Sequence, residues 1–207
     1  MKIKKSKMKK LIILTFFTIL AFFLLLSTYG VFESIILREV DFDVAAWKVE
    51  VNGSKVTNEE KKFVIDDIKW ESSDGVVNGK GAPGSEGYFD IIIDPKETEV
   101  SIKYEIVYDI EYLENINPAF KITKVEEING NKIYLTSKNT YTGVIELKDI
   151  RLHRTNTIRT YIKWEDNEEN NENDYALGSS GDSFNLPVDV NVIQYLDEEI
   201  VEYIDGD

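Results

Sequence analysis

Apolar and polar residues alternate with a period of two along the longest patterned stretch of this chain. Over residues 100–110 the even positions are Val100, Ile102, Tyr104, Ile106, Tyr108 and Ile110, and between them stand Ser101, Lys103, Glu105, Val107 and Asp109. A strand sends successive side chains to opposite faces, so this pattern buries one face and wets the other only as β-structure. The alternation returns at Leu186, Val188, Val190 and Val192, around Pro187, Asp189 and Asn191, and again at Ile158, Ile162 and Trp164, around Arg159 and Lys163. Helical spacing of comparable length is absent beyond residue 30. Shorter strands are expected at 46–51, 62–68, 88–93, 120–125, 132–136 and 143–147. Three Asn-Gly pairs, Asn52-Gly53, Asn78-Gly79 and Asn129-Gly130, supply the positive φ of tight turns, and Asn129-Gly130 marks the clearest hairpin. About eight to ten short strands with this punctuation predict an all-β fold, an antiparallel β-sandwich of jelly-roll type.

The amino terminus follows a different rule. Lys2, Lys4, Lys5, Lys7, Lys9 and Lys10 precede an uncharged run over residues 11–32, the layout of a signal peptide. As a helix that run is roughly 33 Å long, enough to span a bilayer, so residues 1–30 read as a signal peptide or a membrane anchor. Thr28 and Gly30 place small residues at the −3 and −1 positions of a cut before Val31, and cleavage by a signal peptidase is the reading taken here. If uncleaved, residues 11–32 hold the chain in the membrane with the lysines inside and the body outside. Residues 31–43 form an N-terminal extension, 44–196 the sandwich domain, and 197–207 an acidic C-terminal tail expected as a strand, a short helix or frayed chain.

Charge and composition then exclude partners and chemistries. Beyond residue 30 there are 18 basic and 38 acidic side chains, a balance of −20, which argues against nucleic acid as a partner. The chain has no cysteine and one histidine, so zinc sites built on Cys and His and thiol catalysis are excluded. An exported domain without disulfides must rely on packing, and 177 residues are enough for a core. Abundant Lys, Ile, Asn and Glu with four Arg is the composition of an AT-rich bacterial genome, and a Gram-positive surface is the natural setting.

Three segments taken together resemble the TasA/camelysin family of exported biofilm-matrix and cell-surface proteins. They are Val44-Ala45-Ala46-Trp47-Lys48-Val49, then Ala82-Pro83-Gly84-Ser85-Glu86-Gly87-Tyr88-Phe89-Asp90 running into Ile91 to Asp94, and Ile158 to Trp164 joined to an acidic stretch ending Asp174-Tyr175-Ala176-Leu177-Gly178. Family members often carry threonine where Tyr175 stands. The resemblance implies a jelly-roll sandwich, export through a cleaved signal peptide, and assembly into fibres with copies of itself or related matrix subunits. It also brings the label of a metalloprotease, and on that point the residues decide. A zinc protease uses two histidines a helical turn apart with a glutamate base, and this chain has only His153, between Leu152 and Arg154. A catalytic triad would need the same histidine and has no nucleophile elbow. No pair of carboxylates is singled out among 38 acids for glycoside hydrolysis. The reading is a non-enzymatic protein, with His153 a surface or strand residue.

Two binding alternatives remain open. Residues 165–174 are all Asp, Glu or Asn, an oxygen-rich stretch that suits calcium, although a solvated loop explains the same composition. If calcium binds, Glu165, Asp166, Glu172 and Asp174 are the expected ligands, because they lie nearest the anchored ends of the loop. Trp47, Trp70 and Trp164 with eleven tyrosines could stack on a glycan, but Trp47 and Trp164 fall on apolar strand faces, where core packing is the simpler role. Gly79, Gly81, Gly84 and Gly87 read as turn residues and not as a phosphate cradle, since no helix follows them. Finally, Val40, Phe42 and Val44 alternate with Glu39, Asp41 and Asp43. A strand at the free end of an exported domain can complete its own sheet or join the open edge of the next molecule, and heterologous pairing of that kind builds filaments.

Overall fold

The computed structural model describes residues 8–10, 13–25, 44–56, 61–65, 67–72, 74–181 and 185–204. The chain divides into two units, residues 1–44 and 45–207. In the first, helix α1 (Met8–Leu25) is long and apolar enough to cross a membrane, about 27 Å at helical rise. Its described side chains are exposed. The extension at 31–43, with its strand pattern, lies outside the described residues.

The second unit is built from two antiparallel sheets. One sheet has the order β2 (Ser54–Val56), β1 (Val49–Val51), β5 (Glu86–Asp94), β10 (Asn156–Trp164), β7 (Phe120–Glu127), and β4 (Lys69–Trp70) also pairs with β5. The other has the order β3 (Lys61–Ile65), β11 (Leu186–Gln194), β6 (Ile102–Tyr108), β9 (Thr140–Ile145), β8 (Ile133–Ser137). Three helices interrupt the strands: α2 (Ile110–Ile116), α3 (Leu147–Ile150) and α4 (Asn171–Ser180).

The inward residues of both sheets form one core cluster. Phe89, Ile91 and Ile93 of β5 and Ile158, Ile162 and Trp164 of β10 meet Ile102, Tyr104, Ile106 and Tyr108 of β6 and Leu186, Val188 and Val190 of β11. Polar contacts inside that cluster join the sheets. The hydroxyls of Tyr108 and Thr160 share a hydrogen bond of 2.6 Å, and Asn156 Nδ2 donates to the Tyr104 hydroxyl at 3.1 Å. Both tyrosines and both partners are buried, so each group satisfies the other where water is excluded. Burial pushes both phenols well above their ordinary range. Gly143 makes room for this: a Cβ there would stand 2.2 Å from the Tyr104 hydroxyl.

The period-two segments are strands, with altered ends. The alternation of 100–110 stops at Tyr108, because Asp109 accepts a hydrogen bond from Tyr112 N–H at 2.9 Å and caps α2. Likewise the strand expected over 143–147 ends at Ile145, and Leu147 opens α3. The expected strand 62–68 ends at Ile65, and the one at 46–51 starts at Val49, leaving Trp47 ahead of it.

The hairpin expectation was attached to the wrong Asn-Gly pair. Asn52-Gly53 makes the two-residue turn between β1 and β2, with φ of 48° and 75° and Val51 facing Ser54. Asn129-Gly130 instead carries the chain from β7 in one sheet to β8 in the other. The buried Glu127 organises that crossing: its Oε2 accepts from Asn129 N–H and Asn131 N–H at 2.9 and 2.8 Å, and its Oε1 from Thr157 N–H at 3.1 Å.

Candidate assembly surface

Among the described residues five strands stand at sheet edges: β2, β7 and the two-residue β4 in one sheet, β3 and β8 in the other. An edge presents unpaired backbone donors and acceptors and can accept another strand. The edges differ in how their sequences treat this. β2 is three residues long and includes Lys55, and β3 begins Lys61-Lys62. β7 is eight residues long and carries Lys121, Lys124, Glu126 and Glu127, with an irregularity opposite Tyr161 and Ile162. β8, with the sequence Ile-Tyr-Leu-Thr-Ser, has no charge.

The outer face beside β7 is an ordered rung of side chains. Lys69, Tyr88, Tyr161 and Lys124 lie opposite one another on β4, β5, β10 and β7. Arg159 grips Asp90 through two bonds of 2.8 and 2.9 Å and lies 4.0 Å from the centre of the Tyr88 ring, and the bond to Asp90 holds the guanidinium further above its ordinary range. Tyr161 donates to Glu126 at 2.8 Å.

The C-terminal tail forms neither helix nor strand over its described residues, yet it is placed. Tyr195 N–H continues the β11 pairing by donating to Ser101 O at 2.9 Å, and the chain turns at Asp197, whose φ is 61°. It then crosses the outer face of the second sheet as a strap. Lys103 of β6 meets Glu198 at 2.7 Å, Lys132 meets Glu202 at 2.8 Å, and Tyr203 N–H donates to Leu135 O of β8 at 2.7 Å. The Lys103 ammonium, with Glu198's own N–H and that of Leu196, holds the Glu198 carboxyl down at about 2.

The acidic stretch is corrected in form. Residues 168–170 make a 3-10 turn, Asn167 accepting from Asn170 N–H at 3.1 Å, and α4 follows until Gly181 ends it with φ of 66°. Asp174 points inward. One of its oxygens accepts from Trp164 Nε1 and from Asn117 Nδ2, each at 2.7 Å, and it fastens α4 to β10. Asp166 and Glu172 are exposed and Glu165 is half-buried. Among the described residues no three His, Asp or Glu side chains gather where they could share a metal ion.

His153 stands exposed in the turn after α3 with φ of 54°. It lines a cleft of about 780 Å³ with the half-buried Trp47, Val56, Pro95, Lys96 and Glu97. Trp164 is a core residue. Trp70 is half-buried and lies over Gly81 and Gly87, where a Cβ would come within 2.6 and 2.9 Å of its ring. Gly87 therefore belongs to β5 and not to a turn, and its missing side chain is what lets the indole approach.

Sequence reasoning missed three elements of this surface. The strap has no periodic pattern, and its only signal was the placement of Glu198 and Glu202 in a segment with Leu196 and Ile200. The Asp174 clasp was hidden in a run of like residues. The Tyr88 and Tyr161 rung was legible as alternation on strands but not as a cross-strand register. The chain matches no family model, no curated protein and no solved structure.

Proposed function

We propose that this chain is an exported, non-enzymatic structural subunit of a bacterial cell surface or biofilm matrix. Its sandwich is of jelly-roll type, and copies join head to tail when residues 31–43 of one molecule pair with the β7 edge of the next. The strand order carries this reading. Counting β3 and β5 to β11 as the eight strands of a jelly roll, one sheet takes them in the order first, eighth, third, sixth, which is β3-β11-β6-β9 here. The other takes second, seventh, fourth, fifth. Here β5-β10-β7 follow that order, and the fifth strand, β8, pairs with β9 instead. The place beside β7 is where the donated strand belongs.

Bodies carrying −20 repel one another, so acid or added cations promote assembly. Light scattering and electron microscopy of purified residues 31–207 across pH and calcium test this. Fibres are expected, and deleting residues 31–43 abolishes them. A chain that stays monomeric in every condition refutes the reading.

A second reading rests on Trp47, half-buried in its cleft beside Pro95 and His153. An indole with flanking lysines and carboxylates suits a glycan, and the cleft is within the size range of small-ligand sites. A thermal-shift screen against glycans, with Trp47→Ala as control, separates a saturable binding module from a polymer subunit.

A further inference from the structure

We propose that the outer edge of β8 is a strand-pairing surface for a second copy of this chain, closed by the C-terminal strap. The inference does not depend on residues 31–43 or on the β7 edge.

Natural sheets blunt their edges with brevity, charge, proline or bulges. β2 is short, β3 begins with two lysines, and β7 has four charges and an irregular register. β8 has no charge and no proline within Ile133–Ser137, and its register against β9 slips only after Leu135. An uncharged five-residue edge rich in β-formers is the kind that pairs with its own copies. In this molecule the protection comes from elsewhere in the chain, because Tyr203 N–H occupies Leu135 O.

That bond also fixes which backbone groups the edge offers. In an antiparallel ladder a residue's N–H and C=O point to the same side. Leu135 O is turned outward to Tyr203, so Leu135 N–H faces outward too, and Leu135 stands opposite Tyr141 without exchanging bonds with it. Two β8 edges brought together about a two-fold axis at Leu135 would exchange both bonds reciprocally, an isologous contact that closes as a dimer.

The strap is built to lift without unfolding the sandwich. Leu196, Val201 and Ile204 are 73%, 73% and 69% exposed, and of the strap's apolar side chains only Ile200 and Tyr203 are partly covered, so the segment contributes little to the core. Two ion pairs at the surface and the Tyr203 backbone bond are among the contacts that hold it. Segments fastened this way open locally at a free energy far below that of global unfolding. The core cluster lies wholly within residues 49–192 and does not need the strap.

The test compares residues 45–207 with the same chain ended at Leu196, by sedimentation across micromolar to millimolar concentrations, with circular dichroism as the control for folding. The shortened chain is expected to dimerise at least about tenfold more tightly than the intact one. Leu135→Pro in the shortened chain removes the outward N–H while sparing the β9 ladder, and it returns the protein to monomer. A folded, shortened chain that stays monomeric overturns the proposal, as does a dimer indifferent to Leu135→Pro. If shortening prevents folding, Lys103→Gln with Lys132→Gln in residues 45–207 loosens the strap. Then dimerisation accompanied by faster Tyr203 amide exchange supports the proposal, and faster exchange without dimerisation overturns it.

Discussion

Two sets of fastenings hold this molecule, and they differ in chemistry. Between the sheets the links are neutral hydrogen bonds, Tyr108 to Thr160 and Asn156 to Tyr104, between side chains buried in the core. On the outer faces they are ion pairs, Arg159 to Asp90, Lys103 to Glu198 and Lys132 to Glu202, with water around them. A buried bond is costly to break because the orphaned group has no substitute partner, while an exposed pair trades partners with water and salt. The inner set therefore fixes the fold, and the outer set is where solution conditions can change the shape of the surface.

The largest effect is expected at Asp174, an ionisable residue that belongs to the inner set by location. Asp174→Ala leaves Trp164 Nε1 and Asn117 Nδ2 without their acceptor in a buried place, and a loss of about 2–5 kcal/mol is expected from two orphaned donors. Urea unfolding followed by tryptophan fluorescence measures it. A loss below about 1 kcal/mol would place Asp174 with the outer set instead.

Gly143→Ala comes next. The added methyl meets the Tyr104 ring, which cannot swing aside while Asn156 holds its hydroxyl, and overpacking of this kind costs about 1–3 kcal/mol. Tyr104→Phe in the same chain removes the hydroxyl closest to the new methyl and should recover part of that loss.

A paired substitution then probes the contrast itself. Tyr108→Phe removes a buried hydroxyl and strands Thr160, at about 1–2 kcal/mol, whereas Lys132→Ala on the outer face should cost under about 1 kcal/mol and be less costly still in high salt. Equal losses, or a salt-sensitive Tyr108→Phe, would dissolve the distinction.

What the sequence disclosed follows the same division. Alternation made the inner faces of β5, β6, β10 and β11 legible, because a strand buried on one side must write its burial into every second residue. Strand ends were less legible, since Asp109 caps a helix that begins with the same apolar Ile110 the alternation would have claimed. The Asn129-Gly130 pair is a turn in either topology, and only the pairing of β7 with β10 and of β8 with β9 decides that it joins two sheets. α4 has Tyr175, Ala176 and Leu177 in succession, of which only Leu177 packs against the core, so its buried polar anchor, Asp174, looked like any other acid in a solvated run. Among the four acids proposed for calcium, that residue alone is buried, and its burial serves Trp164.

The smallest expected effect concerns the strap, and it has a definite sign. Glu198 is held at about 2 by its bond to Lys103, by its own N–H and by the N–H of Leu196, against about 4.3 for a free glutamate. A carboxyl whose value is depressed in the folded state contributes stability above the unfolded value and loses it as pH falls through the folded one. The strap's contact with β6 should thus be whole at pH 5, weaken below about pH 4 and be about half lost near pH 2, while the Tyr108 to Thr160 bond, with no group titrating in that range, is unchanged. Side-chain carboxyl chemical shifts read this directly, with Glu198 titrating near 2 in the intact chain and higher in Lys103→Gln, where the two backbone N–H groups still hold it below a free glutamate. A Glu198 that titrates alike in both would mean that Lys103 does not hold the strap, and the outer fastening would then rest on contacts such as Lys132 with Glu202 and the Tyr203 backbone bond.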